Sequence, residues 1–152
     1  MTTHDIPAIP KVIVGVDGSA PSKAALRWAA RICEATGNPI EAVIAWEWPR
    51  SYGWSPMLEE WHPDAEAEKT LQQTLDDVFG TQRPAGLVAS VRHGAPRNVL
   101  IEASDGAEML VVGSRGHGGF TGLLLGSVSA ACAEHAHCPV VVVREPRAPA
   151  TA

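Results

Sequence analysis

The chain has 152 residues, of which 45% are hydrophobic and 19% are charged. This gives room for one domain with a sizeable core and excludes a disordered chain. The formal net charge of −5 disfavours nucleic acid or an anionic membrane surface as partner, since both need a basic face. The three cysteines lack the spacing of a disulfide-bonded scaffold, which predicts a cytoplasmic protein. Residues 1–5 show no basic segment followed by an apolar run, so we expect no signal peptide.

Strands and helices are predicted to alternate along the chain. Short apolar runs predict strands over residues 11–17, 40–46, 87–91, 109–112 and 140–143. Helical spacing predicts helices between a cap at Ser19 or Ser22 and Gly37, over 64–79, from Pro96 through Ala103, and over 127–137. We expect a loop over 49–63, a flexible N-terminal segment over 1–10, one domain over 11–145 and a disordered tail over 146–152.

This alternation predicts an α/β fold. The strands are almost continuously apolar, which is typical of a parallel sheet covered by helices on both faces. One reversal of winding puts strand 1 beside strand 4 and gives the Rossmann-like order 3-2-1-4-5 with four helices. Ligands of such sheets bind at the carboxyl ends of the two strands where the order reverses.

Two segments leave that crevice, and one of them is rich in glycine. Asp17 follows strand 1, and the segment from Gly113 to Ser129 follows strand 4. Gly126 and Ser127 open the last helix, where backbone N–H groups and the helix dipole favour a phosphate. A glycine-rich loop is often only a connection, but its coincidence with a helix start and the switch point predicts an anion site.

The spacing Gly113-x2-Gly116-x9-Gly126-Ser127 resembles the ATP-binding motif of universal stress proteins, and Val14 to Ser19, Gly94 to Pro96 and the terminal CPVVVV run are similar too. The resemblance implies ATP as ligand, with Mg²⁺ or Mn²⁺ possible beside it, and a homodimer. It implies that Asp17 meets the ribose or a metal. Trp46 stands where the family usually has a valine whose backbone touches adenine. The remaining site residues implied are Gly113, Gly116 and Gly126 of the loop, Ser127, Val128 and Ser129 as phosphate donors, and Arg115 and His117 as side chains that reach a phosphate.

The function expected from this resemblance is a nucleotide-dependent regulatory protein of the stress response, read by a partner protein of unknown identity. The alternative is a slow ATPase or phosphotransferase at the same site, against which stands the lack of an evident general base or second carboxylate. A ligand-free scaffold is a third reading. No Walker A motif is present. A hydrolase built on Ser127 and His117 would lack the acidic residue of a catalytic triad, so no catalytic residue is assigned.

Three further features have simple structural interpretations. Cys132, His135, His137 and Cys138 cluster in sequence, but their spacing fits no standard zinc site, and core packing with a helix C-terminus explains them better. Trp48, Trp54 and Trp61 are interpreted as cover for the core rather than as ligand contacts. The strand at residues 140–144 is apolar on both faces yet lies at an edge, which predicts pairing with a second copy.

Overall fold

The computed structural model describes residues 8–49, 61–116 and 125–145. The strands are β1 (Val12–Gly15), β2 (Ile40–Trp46), β3 (Val88–His93), β4 (Met109–Gly113) and β5 (Val140–Val143). The helices are α1 (Ala20–Thr36), α2 (Pro63–Phe79), α3 (Pro96–Ala103) and α4 (Ser127–His135). Among the residues described, no helix is both long and apolar enough to span a bilayer.

All five strands form one parallel sheet in the order β3-β2-β1-β4-β5. Val12 pairs with Ile40 on one side and with Met109 on the other, so β1 lies at the centre. The predicted fold class, strand order and number of helices are confirmed. The winding reverses between β1 and β4, and their carboxyl ends therefore flank the crevice.

Each face of the sheet carries its own hydrophobic core. On one face α1 and α2 cover the sheet, with Val14, Leu26, Ile44 and Leu71 at 6% exposure or less. On the other face α3 and α4 pack, with Ile13, Leu100, Leu110 and Cys132 at 5% or less. Both layers bury the central strands completely, which explains why those strands read as continuous apolar runs.

The start of α1 is held by a serine cap. Ser19 has extended backbone angles, and its Oγ accepts the N–H of Ser22 at 3.3 Å, which satisfies one N–H at the start of the helix. Of the two predicted caps Ser19 is therefore the one used. Pro21 lies in the first turn, and Gly37 ends the helix in the left-handed conformation with φ 82°.

Several predicted boundaries are wrong by a few residues. β3 runs to His93 rather than Val91, because its backbone keeps pairing with β2 as far as Trp46. α4 ends at His135 rather than at residue 137, because Ala136 is already extended with ψ 152°. β1 covers only residues 12–15 of the predicted 11–17, and Pro63, predicted as loop, begins α2.

Some expectations lie outside the described residues. These are the flexible segment over residues 1–7, the tail over 146–152, and the loop with Trp54. Residues 8–10 are exposed and belong to no helix or strand, although the Pro10 carbonyl accepts the side-chain amide of Asn38 at 3.0 Å. The division of the chain into a domain with two flexible ends remains a prediction.

Candidate functional site

A cavity of about 280 Å³ lies at the carboxyl ends of β1 and β4. Its floor is apolar and includes Val16, Val112 and Leu100. Its rim is formed by Asp17, by the first residues after β4, and by the start of α4. Polar groups from three separate chain segments therefore converge over an apolar base, which is the usual composition of a small-molecule site.

Asp17 is held at this rim by the turn that caps α1. Its Oδ1 accepts the backbone N–H of Ser19 at 2.9 Å and also the Ser19 hydroxyl. The Asp17 N–H in turn lies 3.5 Å from the Ser22 Oγ. The carboxylate is half-buried and its position is set by α1, so the group can meet a ligand without a costly rearrangement.

Two glycines after β4 are required by close approach to neighbouring groups. A Cβ on Gly113 would lie 2.7 Å from the Cβ and the carbonyl carbon of Pro21, so this glycine lets α1 start against β4. A Cβ on Gly116 would collide with the Asp17 carboxylate. Gly113 therefore serves the packing of the helix, and Gly116 lets the backbone lie directly against the acid.

The N-terminus of α4 offers backbone donors to the cavity. The first α-helical bond runs from the Ala130 N–H to the Gly126 carbonyl at 3.0 Å. The N–H groups of Ser127, Val128 and Ser129 precede it, so none has a carbonyl four residues earlier within the helix. These N–H groups and the positive end of the helix dipole favour an anion at this point.

The Ser129 hydroxyl contacts backbone oxygens of its own chain. Ser129 is only 2% exposed, and its Oγ lies 3.0 Å from the Ser114 carbonyl and 3.1 Å from the Gly126 carbonyl. A hydroxyl has one proton to donate, and here it is directed at backbone oxygens rather than into the cavity. Only the backbone N–H of Ser129 remains as a candidate phosphate donor.

A second cavity of about 280 Å³ adjoins the first one. The two share Val16, Asp17, Pro96 and Leu100 as lining residues. The second cavity extends under the carboxyl end of β2 and under the start of α2. Its size and position suit a planar ring attached to a group in the first cavity.

Trp46 lines this second cavity and belongs to an aromatic cluster. Its ring centroid lies 4.5 Å from that of His93 and 5.8 Å from that of Trp48, which in turn contacts Trp61 at 6.1 Å. The Trp46 carbonyl already accepts the Gly94 N–H at 2.8 Å. A carbonyl oxygen has two lone pairs, so Trp46 can present both this carbonyl and its indole to a ligand.

Of the ten site residues predicted from the sequence, the structure brings eight to the first cavity and one to the second. Those at the first cavity are Asp17, Gly113, Arg115, Gly116, Gly126, Ser127, Val128 and Ser129. Trp46 lies at the second. His117 lies outside the described residues.

Sequence reasoning missed several lining residues, among them Pro96 and Leu100 of α3. They form the wall that both cavities share. Leu100 also packs on Gly15, where a Cβ would lie 2.8 Å from its Cδ1. The sequence signals were Pro96 at a helix start and the similarity of Gly94 to Pro96 to the family, and neither shows that the helix crosses the crevice.

A larger cavity, of about 500 Å³, lies at the opposite end of the sheet between the ends of α1 and α2. Gly37 and Phe79 help to line it. Helix C-termini carry partial negative charge and the strands begin here, so the location disfavours a phosphate ligand. Size alone therefore does not identify the site, and the smaller cavity has the appropriate chemistry.

The other titratable groups do not form a competing centre in the described ranges. No group of three or more His, Cys, Asp or Glu side chains could hold a metal in residues 8–49, 61–116 and 125–145. Burial, with a smaller contribution from Cys138, raises the pKa of the Cys132 thiol to about 11. Burial also raises the pKa of the Cys33 thiol. These two thiols behave as small apolar side chains.

The family model of the "Universal stress protein family" matches residues 9–144. A universal stress protein of Mycolicibacterium smegmatis is 36% identical over 138 residues, which are 87% of this chain and 47% of that protein. Universal stress protein Rv1996 of Mycobacterium tuberculosis is 37% identical over 149 residues, which are 91% of this chain and 45% of that protein. The chain thus spans about half the length of the curated relatives it matches.

Solved structures show the same fold. Universal stress protein UspA from Lactobacillus plantarum superposes with a TM-score of 0.73 at 21% identity, covering 91% of this chain and 99% of that one. A family member from Arabidopsis thaliana with AMP bound gives 0.62 at 24% identity, covering 90% and 92%. The protein from Archaeoglobus fulgidus in complex with dAMP gives 0.62 at 18% identity, covering 88% and 97%. With its fold, its glycine-rich segment and these relatives in agreement, the chain belongs to the universal stress protein family.

Proposed function

We propose that the protein binds ATP at the carboxyl ends of β1 and β4. The phosphates lie against the N–H groups of Ser127 and Val128, and the ribose lies near Asp17. The base enters the second cavity beside the Trp46 indole. The observation that carries the proposal is the convergence of a helix N-terminus and a positioned carboxylate in one cavity at the switch point.

The solved relatives support an adenine nucleotide as the ligand class. The proteins from Arabidopsis thaliana and Archaeoglobus fulgidus hold AMP and dAMP respectively, in the same fold. The step from AMP to ATP rests on the spacing Gly113-x2-Gly116-x9-Gly126-Ser127, which resembles the ATP-binding motif of the family. The adjoining cavities provide separate spaces for the base and for the phosphate chain.

A divalent cation fits this site only together with the nucleotide. Asp17 supplies hard carboxylate oxygens, which suit Mg²⁺ or Mn²⁺. A single carboxylate is too few ligands for either ion, and no further acid among the described residues lines the first cavity. Asp17 would therefore hold a cation whose other ligands are phosphate oxygens and water.

The proposed role is regulatory: nucleotide occupancy alters the glycine-rich segment, and a partner protein reads that state in the cytoplasm. We also propose that two copies pair through residues 140–144, since β5 is the edge strand of the sheet that the described residues form. An ATPase or phosphotransferase is not favoured, because no described side chain at the first cavity is placed as a general base besides Asp17.

A calorimetric titration and a phosphate-release assay test this function. Calorimetry with ATP, ADP, AMP and GTP should give saturable binding of ATP, weakened at least tenfold in Asp17→Ala and in Gly116→Glu. The rate at which the unsubstituted protein releases phosphate from ATP, followed over hours, should not exceed the rate of the Gly116→Glu protein. Absence of ATP binding would refute the proposal, and release that both substitutions abolish would favour the ATPase instead.

A further inference from the structure

Ser114 lies at the base of the glycine-rich segment and joins three parts of the structure. Its N–H donates to the Val143 carbonyl at 2.8 Å and so extends the pairing of β4 with β5. Its carbonyl accepts the Gly126 N–H at 2.7 Å and faces the Ser129 Oγ at 3.0 Å. Ser114 is only 8% exposed, and both bonds to its carbonyl are therefore formed away from bulk water.

We propose that Ser129 is a positioning residue that holds the phosphate-binding amides in place before any ligand arrives. We call the Ser114 carbonyl, the Gly126 N–H and the Ser129 hydroxyl the Ser114 clasp. This inference rests on the proposed function, since it concerns the same cleft. It assigns the Ser129 side chain a role in organising the cradle rather than in contacting phosphate.

The packing around Gly126 shows what the clasp holds together. A Cβ on Gly126 would lie 3.4 Å from the Arg115 Cα and 3.7 Å from the Gly116 nitrogen. The residue that caps α4 therefore lies directly on the residues that follow β4. Both segments line the first cavity, so the clasp sets the distance between Gly116 and the first amides of α4.

The direction of the bonds explains why the hydroxyl matters. The carbonyl oxygen has two lone pairs, and the clasp supplies a donor for each. The single Ser129 proton is shared between the Ser114 carbonyl and the Gly126 carbonyl, which lies 3.1 Å from the Oγ, and this sharing links the first turn of α4 to its own cap. Ser129 thereby keeps its own turn fixed relative to Ser114. Because the amides of that turn are ordered before a ligand binds, binding loses little conformational entropy.

Removal of this hydroxyl should not unfold the protein. In Ser129→Ala the Ser114 carbonyl keeps the Gly126 N–H, and the Gly126 carbonyl keeps the Ala130 N–H at 3.0 Å. No buried polar atom of the clasp loses every partner, and alanine suits the helix. The loss of one backbone-directed bond should weaken ATP binding about three- to tenfold.

A second buried serine provides the matched control. Ser104 is fully buried at the end of α3, where its Oγ donates to the Ile101 carbonyl and accepts the His137 N–H at 2.9 Å. It lines neither cavity at the carboxyl end of the sheet. Ser104→Ala removes a hydroxyl that also bonds only to backbone, and it should lower stability without changing ATP affinity.

The test combines amide exchange without nucleotide and calorimetry with ATP. In nucleotide-free protein, Ser129→Ala should accelerate exchange of the Gly126 N–H severalfold, and Ser129→Thr, which keeps the hydroxyl, should restore slow exchange and affinity. Should threonine not fit, Ser129→Cys, with its weaker donor, should give intermediate values. Ser104→Ala should change neither quantity.

Two results overturn the inference. One is weaker ATP binding in Ser129→Ala with unchanged exchange at Gly126, which would mean that the hydroxyl contacts phosphate directly. The other is unchanged exchange together with unchanged affinity. If the unsubstituted protein binds no nucleotide, the proposed function fails, and the exchange rates alone then decide whether the clasp exists.

Discussion

At the scale of single residues, the glycines of the motif have separable roles. Gly113 faces the backbone of Pro21, which cannot move without displacing α1, whereas Gly116 faces the carboxylate of Asp17. The sequence pattern treats both as one motif. The neighbours of each Cβ position show that one glycine serves folding and the other serves the cleft.

Alanine at Gly113 should therefore affect stability, and alanine at Gly116 should affect ATP binding. We expect Gly113→Ala to lower the free energy of unfolding by about 1–3 kcal/mol, because the added methyl meets fixed backbone. We expect Gly116→Ala to leave stability within about 0.5 kcal/mol but to weaken ATP binding roughly tenfold, since it displaces Asp17. Urea unfolding and calorimetry on both variants check this, and equal stability losses would contradict it.

The buried thiol of Cys132 predicts a pH effect on stability. Its pKa is raised to about 11, so the folded protein keeps the proton where the unfolded chain has lost it. Stability due to the neutral thiol is therefore complete below about pH 9 and declines as the pH rises towards 11. The difference in unfolding free energy between the unsubstituted protein and Cys132→Ala should shrink by about 1–2 kcal/mol between about pH 8 and pH 10.5. A constant difference would show that the thiol titrates normally.

At the scale of elements, one acid connects β2 to β3. Glu41 is 8% exposed, and its carboxylate lies 3.2 Å from Arg92 and 3.0 Å from the Ser90 hydroxyl, with Lys11 at 3.9 Å. Glu41 falls within an apolar run in the sequence, and the run predicts only a strand. Ser90 and Arg92 lie on a strand more than forty positions away, so no local pattern could reveal their contacts with Glu41.

Removal of this acid should loosen the edge of the sheet. We expect Glu41→Ala to cost about 1–2 kcal/mol of unfolding free energy, less than a fully buried pair because Arg92 and Lys11 are partly exposed. Glu34→Ala, at an exposed position of α1, should change stability by less than about 0.5 kcal/mol. Urea unfolding of the two variants measures both changes. Equal losses of unfolding free energy would show that the contacts of Glu41 contribute nothing to stability.

Elements with strong hydrophobic periodicity, a capping residue or a terminating glycine were predictable from the sequence. Gly37 and a cap at Ser19 or Ser22 follow from local chemistry, and the strand–helix alternation with one reversal of winding sufficed for the order of the sheet. The ends of β3 and α4 were not predictable, because pairing with β2 and the extended Ala136 decide them. In the candidate site, the motif indicated residues that line the first cavity, but the direction of the Ser129 hydroxyl and the wall formed by α3 depend on tertiary packing.

At the scale of the whole molecule, the proposed dimer depends on the outer edge of β5. The carbonyls of Pro139 and Val143 accept from β4, so these residues face inward across the ladder. Alternation along the strand then turns the backbone groups of Val140 and Val142 outward. The proposed dimer needs those outward groups.

Proline provides a test of that edge. Val142→Pro removes an outward N–H and should convert the dimer to monomer with a small change in melting temperature. Val141→Pro removes an inward N–H and should lower the melting temperature markedly, because it breaks the ladder with β4. Light scattering and thermal melts measure both effects. A dimer that persists in Val142→Pro would exclude pairing through this strand.

Backbone amide NMR during an ATP titration shows whether ATP phosphates lie on the first amides of α4. We expect the largest shift changes at Gly116, Ser127 and Val128, with Asp17 and its capping turn also affected. Changes confined to the larger cavity between the ends of α1 and α2, or no saturable changes, would contradict it.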